Sequence, residues 1–261
     1  MSSYLSLVVK ELRANQFVFL LLVGIVAILS VLELYVGLKY QSGAVFGLSF
    51  AILMLHLFLL PIFILITLRS EWKASTAHFW LNLPHSGLKL LSAKYVVGII
   101  YSLFFMTIAS IMLIVLASYD LKPNIGEEKY RILLQFLQAN GASFFIYFLF
   151  TSLFLGSLAG FIFMVAKSVR RIGWVIGIIV VGVFLWLWSK FTETKLYSFI
   201  AQWGAVEIKG LDHLFTVGEG TTVDIKASAS AFYLGELILL FIGAIFVIYL
   251  ASWLLDHKAE L

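Results

Sequence analysis

The chain lacks cysteine entirely, and charged residues make up only 12% of its 261 positions. Without cysteine it has no disulfide framework, no thiolate metal site and no thiol nucleophile. The charged share is about half that of an average soluble domain. The 18 Lys and Arg residues exceed the 14 Asp and Glu residues only modestly and are scattered along the chain. Because they form no basic stripe, we expect no nucleic-acid partner.

Motifs that carry chemistry are missing as well. Neither the Walker A pattern G-x-x-x-x-G-K-[ST] nor the metalloprotease pattern H-E-x-x-H occurs. The serine elbow G-x-S-x-G is approached only at residues 47–51, where alanine replaces the last glycine. The five histidines are dispersed and show no metal-ligand spacing. We therefore expect no enzymatic activity, no metal site and no cofactor bound by this chain itself.

Apolar residues are what the chain has in abundance. They account for 62% of the sequence, and the mean hydropathy is +1.04. A soluble fold of this length could not hide so much apolar surface. We therefore expect an integral membrane protein.

Six stretches are long and apolar enough to cross a bilayer, which takes roughly 20 residues at about 1.5 Å each. The first is too long for the apolar region of a signal peptide, and Glu33, Leu34 and Tyr35 stand where a cleavage site needs small residues. We predict a single-domain, all-α membrane protein with six transmembrane helices. The stretches are Phe17–Leu38, Ala44–Leu68, Tyr95–Ser118, Gly141–Ala166, Ile172–Ser189 and Phe232–Leu255.

The distribution of Lys and Arg predicts the orientation. With the N-terminus inside, ten basic residues fall in 53 cytoplasmic positions and eight in 69 outer positions. Three of the ten, Lys167, Arg170 and Arg171, lie in one five-residue loop. Both termini are therefore expected in the cytoplasm, as an even number of spans requires.

Residues 1–16 predict an amphipathic helix on the inner membrane surface. The alternative is a frayed extension of the first span. The apolar positions at helical spacing are Tyr4, Leu5, Val8 and Leu12, and the polar ones are Lys10, Glu11, Arg13 and Asn15.

The cytoplasmic segment 69–94 is longer than a simple connector. It predicts a short helix with an aromatic face, ended by Pro84 and a turn. Such a helix is suited to docking a cytoplasmic partner. The positions on the face are Trp72, Thr76, Phe79, Trp80 and Leu83, with Glu71, Lys73, Ser75 and Asn82 largely elsewhere.

Two segments are expected on the outer side. Segment 190–231 predicts a second in-plane helix, with Leu196, Phe199, Ile200 and Trp203 on one face, followed by a solvated loop. Segment 119–140 carries Glu127, Glu128, Lys129 and Arg131 ahead of an apolar run, which predicts a helix start that leads into the fourth span.

Three ionisable residues lie within the spans, where each costs about 2.5–3.5 kcal/mol at a helix centre. Glu33 and Glu236 fall near the outer ends of their spans, and His56 lies near mid-span, five residues before Pro61. All three are candidates for a transport pathway. The alternatives are interfacial solvation of the glutamates and a polar contact between helices for His56. Pro61 predicts a kink.

Three glycine pairs at i, i+4 spacing allow close helix approach, either within the bundle or at a dimer seam. They are Gly43 and Gly47, Gly156 and Gly160, and Gly173 and Gly177.

Taken together, these features resemble the permease subunit of bacterial ABC-2 type transporters. The six-span layout, with its longest outer loop before the last span, is similar to that of the family. Two short motifs are similar too: Lys10-Glu11-Leu12-Arg13 to the family's Lys-Glu start, and Glu71…Thr76…Leu83-Pro84…Lys94 to its E-x(4)-T…LP…K pattern.

The resemblance implies a homodimer or heterodimer of permeases in the bacterial plasma membrane, bound to two cytoplasmic ATPase subunits that hold ATP and Mg. Residues 69–84 resemble the coupling helix and residues 1–16 the connecting helix, with Lys10, Glu11 and Arg13. Glu71, beside Lys73 and before Pro84, would offer its charge to a basic ATPase groove. Trp72, Phe79 and Trp80 would hold the helix on the membrane domain or fill the groove.

The function implied is ATP-driven export of a peptide, lipid or drug, including self-protection against antimicrobial peptides. Residues 190–231 are too few for the folded outer domain of large family members. Two alternatives stand beside this function: a membrane immunity or assembly protein that does not pump, and an ion-coupled secondary transporter.

Overall fold

A computed structural model describes residues 3–73, 86–169, 172–206 and 232–258. The described chain is almost entirely helical, as predicted, with one small antiparallel ladder that pairs Ala205 with Tyr233. The elements are α1 (Ser3–Ala14), α2 (Gln16–Tyr40), α3 (Ala44–Leu55), a 3₁₀ turn (His56–Phe58), α4 (Leu59–Lys73), α5 (Gly87–Leu116), a π turn (Ala117–Leu121), α6 (Lys122–Ser168), α7 (Gly173–Thr192), α8 (Lys195–Ala201), β1 (Ala205–Val206), β2 (Phe232–Tyr233) and α9 (Leu234–Lys258).

Five helical stretches of the described chain are long and apolar enough to cross a membrane, which makes this a multi-pass membrane protein. Four coincide with predicted spans: 16–40, 44–73, 173–192 and 234–257. The fifth stretch, 87–168, is 82 residues long and contains the third and fourth predicted spans.

The 82-residue stretch folds back on itself. Tyr95 Oη donates to the Gly156 carbonyl at 3.1 Å, although the two residues are 61 positions apart; a straight helix would separate them by roughly 90 Å. The reversal includes Gly126, whose φ of 82° and ψ of 166° lie outside the helical region. The helix start expected in segment 119–140 is present, and it lies at Lys122, directly after a π turn.

The α-helix of the second predicted span is interrupted just before Pro61. Pro61 has no N–H to donate to the carbonyl of Leu57, and its ring crowds that carbonyl. A single 3₁₀ turn at His56–Phe58 occupies this position between α3 and α4. The two helices remain one candidate span.

Helix α1 packs against the bundle with most of the predicted apolar face, since Val8 is buried and Tyr4 and Leu12 pack against the core. Leu5 of that face is instead half exposed, and Leu7 is buried. Glu11, which the pattern placed among the polar positions, is 1% exposed. Lys10 and Arg13 are exposed, as expected of the polar side. The helix thus carries a carboxylate into the interior.

Two of the three glycine pairs serve packing within the chain. A Cβ at Gly156 would meet the Leu60 side chain, and one at Gly160 would meet the Tyr95 hydroxyl. An ideal Cβ at Gly177 would lie 3.1 Å from the Ile162 carbonyl oxygen. These contacts bring α6 against α4, α5 and α7, where most of the buried apolar residues lie.

Helix α8 lies across the start of α9. Thr194 caps it by accepting from the Tyr197 backbone N–H at 3.2 Å. Tyr197 and Ala201 face the bundle, while Phe199, on the predicted apolar face, is 83% exposed. Gly235 of α9 fits directly beneath, because an ideal Cβ there would lie 2.5 Å from the Ala201 carbonyl oxygen.

Substituting Gly235 by Ala should destabilise the protein by about 1–3 kcal/mol, because the added methyl meets backbone atoms that cannot rotate away. Gly182→Ala is the matched control, since no atom lies within 4 Å of its Cβ position. Thermal midpoints of both variants in lipid nanodiscs check this. Equal midpoints would contradict the packing described.

Candidate functional site

Three charged side chains meet at the bundle end where α1, α4 and α5 come together. The Lys94 ammonium lies 2.8 Å from Glu11 Oε2 and 3.0 Å from Glu71 Oε1. The exposed fractions of the side chains are 2% for Lys94, 1% for Glu11 and 16% for Glu71. We call these three residues the charge cluster.

Each helix brings its residue to the cluster for a local reason. Glu11 lies on the buried face of α1, one turn after Leu7 and Val8. Glu71 lies in the last turn of α4, and Lys94 lies two turns into α5. All three residues lie near the ends of their helices. These ends border the segments that lie outside the candidate spans.

The start of α5 is also tied to α9. The Gly87 backbone N–H donates to Asp256 Oδ1 at 2.9 Å. This N–H belongs to the first turn of α5, which has no partner within its own helix, and the carboxylate favours the positive end of the helix dipole. The cluster and this capping bond together connect α1, α4, α5 and α9 at one end of the bundle.

The cluster is held by opposite charge in a water-poor environment. Two carboxylates face one ammonium, and Glu11 Oε1 is buried without a hydrogen-bond partner among the described residues. A buried ion pair contributes little net stability over apolar residues of the same size, but removing one partner costs about 3–5 kcal/mol. The arrangement therefore fixes the positions of the three helices relative to one another.

Trp72, next to Glu71, anchors the end of α4 on α6. Its ring meets the Phe163 ring edge-on, with centroids 5.4 Å apart. The Lys167 ammonium lies 5.9 Å from the centre of the Trp72 ring, within the range of a cation–π attraction. Of the two roles considered for Trp72, the structure favours contact with the membrane-embedded bundle.

The structure shows where the Glu71 carboxylate lies, and its role in coupling stays a prediction. We expected its carboxylate to be offered to a basic groove on a partner, but it is paired with Lys94 inside the chain. Lys73, the last residue of α4, is exposed. The other coupling residues, Thr76, Phe79, Trp80 and Pro84, lie outside the described residues.

Sequence reasoning did not single out Lys94 and Glu11 as a pair. Both residues lay within the motifs that carried the family resemblance, but 83 positions separate them. One feature of the sequence could have indicated the pair: Glu11 lies on the same face of α1 as the apolar residues Leu7 and Val8, at i−4 and i−3. Such a carboxylate needs a buried cation.

The three pathway candidates have separate surroundings. Glu236 accepts from the Tyr197 hydroxyl at 3.2 Å. His56 Nδ1 lies 2.8 Å from the Ile52 carbonyl, one turn earlier in the same predicted span. This nitrogen therefore makes a local contact and does not reach another helix. Glu33 is only 9% exposed, which argues against interfacial solvation. The described residues contain no group of three metal-ligating side chains.

No protein-family model matches this chain, and no curated protein or solved structure matches it either. The class is therefore defined by the chain's own geometry. It is an all-helical, multi-pass membrane protein with a buried charge cluster at one end.

Replacing Lys94 by Met should destabilise the protein by about 3–5 kcal/mol, because Glu11, which is 1% exposed, loses its buried cation and the ion pair with Glu71 is lost as well. The triple variant Lys94→Met, Glu11→Gln, Glu71→Gln should recover most of this loss. Unfolding in nanodiscs measures both. The control is Lys190→Met, which removes an exposed pair with Glu193 and should cost at most about 1 kcal/mol. Equal effects of Lys94→Met and Lys190→Met would contradict the account.

Tyr197 lies on α8, outside the candidate spans, and its pKa is raised to about 12 by burial and by the nearby Glu236 carboxylate. The neutral phenol is therefore favoured in the folded state. Its contribution to stability is complete below pH about 10, the usual tyrosine pKa, and is lost as the pH rises towards 12. An absorbance titration should lose a step near pH 12 in Tyr197→Phe. Glu236→Gln should lower that step, and an unchanged titration in both variants would refute this.

Proposed function

We propose that this chain is the membrane-spanning subunit of an ABC-2 type ATP-binding cassette transporter in a bacterial plasma membrane. It works with separate ATPase subunits that bind ATP and Mg and exports its substrate. The chain itself does no chemistry. Its task is to convert movement of the ATPases into altered access across the membrane.

The charge cluster is the observation that carries this proposal. It binds the N-terminal helix, the end of α4 and the start of α5 to one another. Residues 74–85 connect α4 to α5, so a partner that pushes on them acts on both sides of the cluster at once. Because the three helix ends are held by buried charges, they respond as one body.

Membrane topology supports the same assignment. In this proposal the 82-residue stretch 87–168, which folds back on itself, counts as two antiparallel crossings, which gives six crossings in all. Six crossings place both termini on one side. The excess of Lys and Arg in the connecting segments favours the cytoplasm for that side, and the charge cluster then lies at the cytoplasmic end.

In this proposal the residues at the end of α4 have different roles. Trp72 holds α4 on the bundle, and Glu71 transmits displacement to Lys94 and hence to α5. Lys73, exposed beside them, is available to an acidic site on the ATPase. Glu71 is therefore a positioning residue for the coupling helix in this proposal.

The first test is to purify the tagged full chain from its host membrane in mild detergent and identify what accompanies it. A stoichiometric protein with a Walker A motif supports the transporter. Its absence from a folded preparation would contradict the proposal. Protection that persists when that ATPase cannot hydrolyse ATP would favour a non-pumping immunity protein instead.

Charge exchange then tests the role of Glu71. Glu71→Lys should abolish substrate-stimulated ATP hydrolysis, because two ammonium groups would face each other beside Glu11. The double variant Glu71→Lys, Lys94→Glu keeps one cation and two carboxylates in the cluster and should restore a substantial part of the activity. If Glu71 instead contacts the ATPase directly, the double variant stays as inactive as the single one. Hydrolysis in proteoliposomes measures both.

A further inference from the structure

A second group of buried acidic residues lies at the opposite end of the bundle from the charge cluster. It occupies the space between the end of α2, the start of α3 and the π turn. Its members are Glu33, Ser49 and Asp120, which we call the acidic crevice. None of its three residues takes part in the proposed coupling mechanism.

Asp120 is fully buried in the π turn. Its Oδ2 accepts from the Phe46 backbone N–H at 2.9 Å, in the first turn of α3. Its Oδ1 is buried and has no hydrogen-bond partner among the described residues. Gly37 of α2 covers the residue, since an ideal Cβ there would lie 3.4 Å from Asp120 Cβ. The helix N-terminus therefore stabilises one carboxylate oxygen and leaves the other unsatisfied.

Glu33, about one helical turn further into the bundle, is a second buried carboxylate with an unpartnered oxygen. It is 9% exposed and lies beside the Ser49 side chain, while its Oε1 is buried with no hydrogen-bond partner in the part of the chain that the structure describes. Glu33 precedes Gly37 by four residues, and Ser49 follows Phe46 by three. Both antiparallel helices therefore place Glu33 about 5–6 Å deeper than Asp120 along the same crevice.

The nearby lysines that the structure describes are engaged elsewhere. The Lys39 ammonium lies 5.6 Å and 5.2 Å from the ring centres of Tyr35 and Tyr40. Lys122, two residues after Asp120, pairs with Glu127 at 2.7 Å. The two carboxylates of the crevice thus have no lysine from these neighbouring segments to balance them.

We propose that the acidic crevice is a binding site for a small monovalent cation. A buried carboxylate whose oxygens lack donors either takes up a proton or is balanced by a compensating charge. The unpartnered oxygens of Glu33 and Asp120, together with the Ser49 hydroxyl, are hard ligands of the kind that alkali and alkaline-earth ions take. A monovalent ion fits best, because the crevice offers few protein oxygens, whereas a dry calcium site needs six to eight. The site is independent of the ATPase-coupling proposal.

Equilibrium binding of radioactive Na⁺ to the purified full chain in zwitterionic nanodiscs tests the site. We expect saturable binding of about one ion per chain. Thermal midpoints should rise by about 2–4 °C once Na⁺ exceeds its dissociation constant severalfold at constant ionic strength. N-methylglucamine, which is too bulky for the crevice, should produce no such rise. Absence of saturable Na⁺ binding to the wild-type chain, or binding of Ca²⁺ in its place, would overturn the proposal.

Variants locate the ion. Glu33→Gln and Asp120→Asn should each reduce Na⁺ binding at least tenfold. Glu236→Gln is the matched control, because it removes a carboxylate near the same end that is bonded to Tyr197 instead, and it should bind Na⁺ like wild type. Binding that survives both crevice variants, or that is lost equally in the control, would overturn the assignment. If Asp120→Asn fails to fold, Glu33→Gln and the wild-type measurement still decide the matter.

Discussion

A lysine ammonium held in the interior between two carboxylates is the interaction on which the rest of this structure depends. Lys94 would be costly to bury alone, and so would Glu11 and Glu71. Each therefore requires the others, and the three helices that carry them must meet at one place. The Gly87–Asp256 bond extends this arrangement to α9.

Away from the charge cluster, the bundle relies on close contact between helices. In a bilayer, apolar side chains gain little by leaving lipid for one another, so packing at small residues is important. Gly156 and Gly160 admit Leu60 and Tyr95 between α6 and its neighbours. The acidic crevice at the other end, with Asp120 at the start of α3, again places charge at a helix end. Polar interactions at both ends thus enclose an apolar middle.

The apolar stretches were predictable from the sequence because bilayer thickness sets their length, and four of the predicted spans match helical stretches with similar bounds. The third and fourth predicted spans lie instead within one 82-residue helical stretch. What the sequence could not show is which side of a helix faces inwards. Glu11 of α1 faces the interior of the bundle because it pairs with Lys94, which is 83 residues away in the sequence. Glu33 is buried for a similar reason, since α3 brings Ser49 to it. Both results depend on contacts between distant segments.

The continuous helix through residues 117–125 was also beyond prediction from pattern. Asp120, Lys122 and Pro123 are typical of a loop, but the π turn uses Asp120 to cap α3 and so keeps the backbone helical up to Gly126. The coupling residues Thr76, Phe79, Trp80 and Pro84 lie outside the described residues, and their docking role stays a prediction.

The most direct test of the account is the distance between spin labels at Lys10 of α1 and Lys73 of α4. Both positions are exposed, and the absence of cysteine from the chain allows both to be labelled through introduced cysteines without background. The account predicts one narrow distance distribution that is unchanged by ATP in the complex with the ATPase, and a broad distribution in Lys94→Met. A wild-type distance that changes with ATP, or is as broad as that of the variant, would contradict the claim that the cluster makes these helix ends one body.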